Sequence, residues 1–88
     1  MPRVTNEERK RFHDFVDEAI DKINLPKNEK KAHWGCLENR ELVDLLTTET
    51  FELRHAVFYP HHGDIKDECK DVINFALMIS DNAVKGKM

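Results

Sequence analysis

Two pairs of acids stand where amphipathic helices should carry apolar side chains. Glu49 and Glu52 form one pair, Glu68 and Asp71 the other, and each pair is spaced three residues apart. From about Glu38 to about Phe58, the residues Leu42, Leu45, Leu46, Leu53, Ala56 and Val57 fall on a single helical face at about 100° per residue. Glu49 lies in the middle of that face and Glu52 at its edge. From near Asp64 to about Asn82, Ile65, Val72, Phe75, Ala76 and Ile79 mark a second face, widened by Ile73, Leu77 and Met78. Glu68 lies at its centre and Asp71 at its edge. A carboxylate on the centre line of an apolar stripe is costly unless it is paired or bound to a metal. Two such helices packed antiparallel aim four carboxylates at one point, and like charges that close repel unless a cation sits among them. The all-oxygen donor set selects a hard divalent ion, Mg²⁺ first. The competing reading neutralises Glu49 locally, through Arg54 or His55, or leaves the stripe solvated at that point.

The remainder of the chain reads as support for this pair of helices. Thr5 with Glu8 fits a capping box, opening a first helix from about Asn6 to about Asn24. Its stripe is Phe12, Phe15, Val16, Ala19, Ile20 and Ile23, with His13 beside it. Pro26 ends that helix. The linker from Lys27 to Gly35 carries Lys27, Lys30 and Lys31, either solvated charges or a basic lip that draws an anionic ligand towards the acids. Trp34, the only tryptophan, serves as a core anchor or as a platform for a flat base. Pro60, His61, His62 and Gly63 break the second helix, and loop histidines side by side favour exposure over a Mg²⁺ site. Asn74 continues the polar seam three residues after Asp71, as a ligand contact or as a cap on a buried group.

With 35% charged residues, only three Gly and three Pro, and no strand pattern, the chain is expected to be all-α. The expected architecture is a small antiparallel helical bundle of three main helices, one domain over residues 1–88. So short a chain closes only a marginal core, so oligomerisation is expected to complete it, as a homodimer or homotetramer with Val72 to Ile79 at the interface. A net charge of −3 with interspersed signs argues against a nucleic-acid partner. No apolar run is long enough for a membrane span and no signal peptide is visible, so a cytoplasmic setting is expected, with Cys36 and Cys69 reduced.

Glu-x-x-Glu followed after fifteen residues by Glu-x-x-Asp resembles the signature of the MazG-like all-α nucleoside triphosphate pyrophosphohydrolases. The run from Leu45 to Leu53 is similar to the first metal helix of that family, and the run from Asp67 to Asp81 more closely to the second. Trp34, preceded by Lys30 and Lys31, also sits where many members carry a tryptophan. The resemblance covers about residues 28 to 84. It implies Mg²⁺, with Mn²⁺ as a substitute, held by Glu49, Glu52, Glu68 and Asp71. It implies cleavage of a (deoxy)nucleoside triphosphate between the α and β phosphates, giving the monophosphate and pyrophosphate. Glu52, at the rim of its stripe, is the candidate base that takes a proton from water; Lys30, Lys31, Trp34 and Asn74 are the candidate substrate contacts. Two departures stand out. Thr48 precedes Glu49 where members often have another acid, and only Lys85 and Lys87 remain as bases near the end. Phosphate contacts then come from a partner subunit, or activity is reduced. Two non-enzymatic readings remain beside this one: a nucleotide- or metal-binding interaction module that kept the fold, and a plain helical oligomerisation domain with structural acids.

Overall fold

A computed structural model describes residues 3–29, 31, 33–59, 61 and 63–86. The protein is all-α. Three helices, α1 (Asn6–Ile23), α2 (Asn39–Phe58) and α3 (Ile65–Val84), are joined by segments that include two short 3₁₀ turns, Pro26–Asn28 and Trp34–Cys36. Among the described residues, no helix is long and apolar enough to cross a membrane.

Each helix starts where side chains satisfy its free amides. Thr5 Oγ1 accepts from the Glu8 amide at 3.1 Å, and Glu8 returns the bond to the Thr5 amide at 2.9 Å. Glu41 accepts from the Glu38 amide at the head of α2. Asp64 accepts from the Asp67 amide at the head of α3. Between α2 and α3 the chain returns so close to α2 that a Cβ at Gly63 would lie 3.0 Å from the Ala56 Cβ, a tight contact that Ala56 would have to yield to by a few tenths of an ångström.

α3 is the central helix. It packs along α2 most extensively, along α1 less so, and against the Trp34–Cys36 turn near its end, whereas α1 and α2 barely meet. The apolar core is correspondingly thin: Ala19, Leu42 and Ala56 are its buried members. The buried side chains of α3 itself are amides. Asn74 Nδ2 donates to the Ala19 carbonyl at 2.8 Å and so docks α1. Asn82 Nδ2 donates to the carbonyls of Trp34 and Leu37 at 3.2 and 3.3 Å, pinning the α1–α2 connection to the end of α3.

The broad stripe of α3 is used largely within the chain, because α3 has a neighbour on two sides: Val72, Ile73, Phe75, Met78 and Ile79 are half-buried, and Leu77 is 38% exposed. Apart from Val84 at the end of α3, the most exposed large side chains of the described helices lie elsewhere, with Phe12 on α1 at 56% and Phe51 and Phe58 on α2 at 66% and 64%. Phe51 and Phe58 are seven residues apart, two helical turns, and therefore share one outward face.

Candidate metal centre and ligand groove

The i, i+3 spacing on α2 and α3 does what helical geometry requires of it. One oxygen from each of Glu49, Glu52, Glu68 and Asp71 lies within 4.8 Å of the others. Glu49, Glu68 and Asp71 are half-buried and Glu52 is exposed. Glu49 Oε2 and Glu68 Oε2 are buried and meet no hydrogen-bond partner among the described residues. Burial, and then the adjacent Glu52, push the Glu49 carboxyl up to about 7. Burial and the Glu52 charge raise Glu68 as well. Buried polar atoms without partners call for an explanation. Four converging carboxylates with two orphaned oxygens suit a hard divalent cation, which takes oxygen donors at this kind of spacing. The residues present therefore fit such an ion. The local neutralisation of Glu49 by Arg54 is not what the side chain does, since Arg54 lies over the Phe58 ring at 4.9 Å.

Asp71 differs from the other three. Its Oδ1 is 2.6 Å from Lys22 Nζ, and the same ammonium is 3.0 Å from Asp67 Oδ2. The Lys22 side chain, at the end of α1, is only 17% exposed. Burial alone would lower its pKa, but hydrogen bonds to Asp71 and Asp67 outweigh burial and raise it. Sequence patterning misses both Lys22 and Asp67, because a lysine near a helix end and an acid in a first turn are ordinary surface features. No local spacing marks their meeting.

Because α1 and α2 barely touch, a groove of about 1080 Å³ opens between them with α3 beneath. Glu49 and Asp71 line its acidic end, together with Lys22 and Asp67. Lys27, Lys31, His33 and Trp34 line it from the connection, and Asn74 lies in its floor. Thus Lys31, Trp34 and Asn74 share one groove with two of the four acids; Lys30 and His62 lie outside the described residues. Trp34 is half-buried and tightly placed. Its indole N–H donates to Asp81 Oδ2 at 2.8 Å, and the His33 ring stacks on it with centroids 3.8 Å apart. The Trp34 ring is therefore both an anchor to α3 and part of the groove wall. Asn74 spends an amide proton on Ala19, while its Oδ1 has no partner among the described residues.

On the other side of the acids, a smaller hollow of about 380 Å³ is lined by Thr48, Phe51, Glu52, His55, Gly63 and Glu68. The four carboxylates thus lie between two openings, Glu49 and Asp71 facing one and Glu52 and Glu68 the other. Cys36 and Cys69 are free thiols, the first exposed and the second half-buried.

No family model, no curated protein and no solved structure matches this chain.

Proposed function

We propose that the protein is a Mg²⁺-dependent nucleoside triphosphate pyrophosphohydrolase that converts a (deoxy)nucleoside triphosphate to the monophosphate and pyrophosphate, in nucleotide-pool control or house-cleaning in the cytoplasm. One observation carries the reading: four converging carboxylates, with two buried oxygens lacking partners, stand at the end of a groove that Glu49 and Asp71 line and that also holds lysines and an aromatic ring. A triphosphate needs such a mixed site. Its anionic chain approaches carboxylates only through a cation, while its base needs a flat apolar surface. Mg²⁺, or Mn²⁺ in its place, supplies neutralisation of phosphate oxygens and polarisation of water when held by Glu49, Glu52, Glu68 and Asp71. Lys27 and Lys31 draw the phosphate chain into the groove, and Trp34 offers its ring to the base. Glu52 is exposed beside the smaller hollow, from which water reaches it, and takes a proton from the water that attacks the α phosphorus. The bond between that phosphorus and the α,β-bridging oxygen breaks, and pyrophosphate leaves with the bond electrons.

A homodimer or homotetramer belongs to the same proposal. It is supported by the thin core and by the outward Phe51 and Phe58. Phe51 also lines the smaller hollow, so a second copy seated there borders the metal site. The Lys22–Asp71 pair favours a second reading, a nucleotide- or metal-binding module without turnover, because one of the four acids already has a protein cation. A panel of ribo- and deoxyribonucleoside triphosphates with Mg²⁺ or Mn²⁺, followed by pyrophosphate release, decides between them. Release that depends on the metal and is lost in Glu52→Gln supports the enzyme; metal-dependent binding with no release on any substrate supports the module.

A further inference from the structure

Lys22 is the one lysine brought against the acid cluster among the described residues, and neither its helix nor its position in sequence marks it as part of a site. An ammonium carries three N–H donors on a tetrahedral nitrogen. Asp67 and Asp71 engage this one from the α3 side, at 3.0 and 2.6 Å. The same side chain lines the groove, together with Lys27, Lys31 and Trp34. It is therefore a cation with fixed direction, set at the boundary between the carboxylates and the open groove.

The pair with Asp71 has a geometric consequence. A carboxylate has two oxygens, and Lys22 lies on Oδ1. A cation held by the acid cluster would share the Asp71 carboxylate with the Lys22 ammonium, so an anion beside them would meet positive charge from both. Phosphate oxygens are that kind of anion, and a lysine acts on them as a point charge. Asp67 plays a different part. It touches Lys22 but is absent from the four-acid cluster, so its charge steadies the ammonium while opposing any anion in the groove.

We propose that Lys22 is a phosphate anchor: its ammonium, held by Asp67 and Asp71 at the acidic end of the groove, donates to a phosphate oxygen of the ligand bound there. The inference rests on the nucleotide reading given above and names a residue of that site which the sequence pattern does not contain. Lys22 orients and retains the ligand; it takes no part in proton transfer.

The test uses the full chain and a probe without a base, inorganic tripolyphosphate, titrated calorimetrically in Mg²⁺, with Mg²⁺ alone titrated separately. Lys22→Met keeps most of the apolar stem and removes the charge; it is expected to weaken tripolyphosphate binding about tenfold, the worth of one charge-assisted hydrogen bond, and to leave Mg²⁺ binding no weaker. Lys22→Arg is expected to restore most of the loss. Asp67→Asn provides the opposite sign, because it removes a negative charge from the groove and keeps the lysine; binding is expected to tighten about threefold. A lysine that serves only to tie α1 to α3 predicts that Lys22→Met and Asp67→Asn act in the same direction, and that result overturns the proposal. Equal loss of Mg²⁺ and tripolyphosphate binding in Lys22→Met also overturns it, since the lysine then only supports Asp71. If Lys22→Met does not fold, the sign from Asp67→Asn still decides: tighter tripolyphosphate binding supports the anchor and weaker binding overturns it. Wild-type protein that binds no tripolyphosphate in Mg²⁺ overturns the nucleotide reading itself, and the anchor with it.

Discussion

Trp34 donates its indole N–H to Asp81 Oδ2 at 2.8 Å, so the ring in the groove wall is held by the end of the helix that carries Glu68 and Asp71. Asn82, the next residue, holds the Trp34 backbone carbonyl. Two successive side chains of α3 thus fix one tryptophan at both its ring and its backbone.

Trp34→Ala is expected to lower stability by about 2–3 kcal/mol, less than for a fully buried tryptophan because the ring is half-buried. It is also expected to weaken nucleotide binding more than tripolyphosphate binding. Denaturant melts and parallel titrations with the two ligands check this. Equal weakening of both removes the base-stacking role from Trp34. In the wild type, nucleotide with Mg²⁺ is expected to change tryptophan fluorescence, which comes from this one residue.

The metal-free protein is expected to gain stability as pH falls from about 7 towards about 4.5. The Glu49 carboxyl is raised from 4.5 to about 7 in the fold, and Glu68 is raised as well. A carboxyl with a higher pKa in the folded chain binds its proton more tightly when folded. Its penalty on folding is complete above the folded value and gone below the unfolded one. With solvent screening at this half-open site, the gain is of order 1 kcal/mol. Urea melts in chelator across that range test the sign; stability that rises with pH there contradicts it. Glu8, Glu18 and Asp81 are lowered instead, so their contribution is lost only at lower pH, as they protonate.

Glu68→Gln separates a metal site from a structural one. The amide keeps the shape and removes one charge from the cluster, so in chelator the variant is expected to be more stable than wild type by ~1 kcal/mol. It is also expected to lose most of the stabilisation by Mg²⁺, which in wild type reaches about 2.7 kcal/mol at a hundredfold excess over Kd. A variant that melts lower than wild type in chelator and responds normally to Mg²⁺ refutes the metal centre.

Asn82→Asp is expected to destabilise by at least ~3 kcal/mol. Asn82 is fully buried and its amide donates to two carbonyls, which an ionised carboxylate cannot do. The loss should shrink as pH falls and the new carboxyl protonates. A variant as stable as wild type at pH 7 shows that the connection does not depend on this amide.

For assembly, light scattering is expected to show a dimer or tetramer, and Phe51→Ser with Phe58→Ser is expected to shift it towards monomer. A wild-type monomer at micromolar concentration contradicts the proposal.

The helices and the acid cluster were legible because both are local in sequence. Thr5 and Glu8 cap a helix from three residues apart, and Glu49 and Glu68 interrupt stripes defined by their own neighbours. What escaped the pattern depends on distance along the chain. Lys22 meets Asp71 only because α1 docks on α3, and no periodicity encodes that contact. Asn82 reads as a polar residue near a helix end, yet it is fully buried, where its amide donates to the Trp34 and Leu37 carbonyls of the connection. The width of the α3 stripe suits an interface between copies, but it also suits a helix with two neighbours inside one chain; Phe51 and Phe58 on α2 are more exposed than Val72, Phe75 or Ile79.

The way α1 is fastened gives it a stability of its own. Beside the buried Ala19 and its half-buried apolar neighbours, it is held to α3 by the Asn74–Ala19 hydrogen bond and by charges: Lys22 with Asp67 and Asp71, and Lys66 and Lys70 with Glu18 at 3.1 and 3.6 Å. Dissolved ions screen such charges, the exposed ones most, and leave the apolar contact between α2 and α3 nearly untouched. Amide hydrogens of α1 should therefore exchange with solvent sooner than those of α3, and the gap should widen as ionic strength rises. One wall of the groove is in that sense an electrostatic latch, and the salt around the protein sets how long it stays shut.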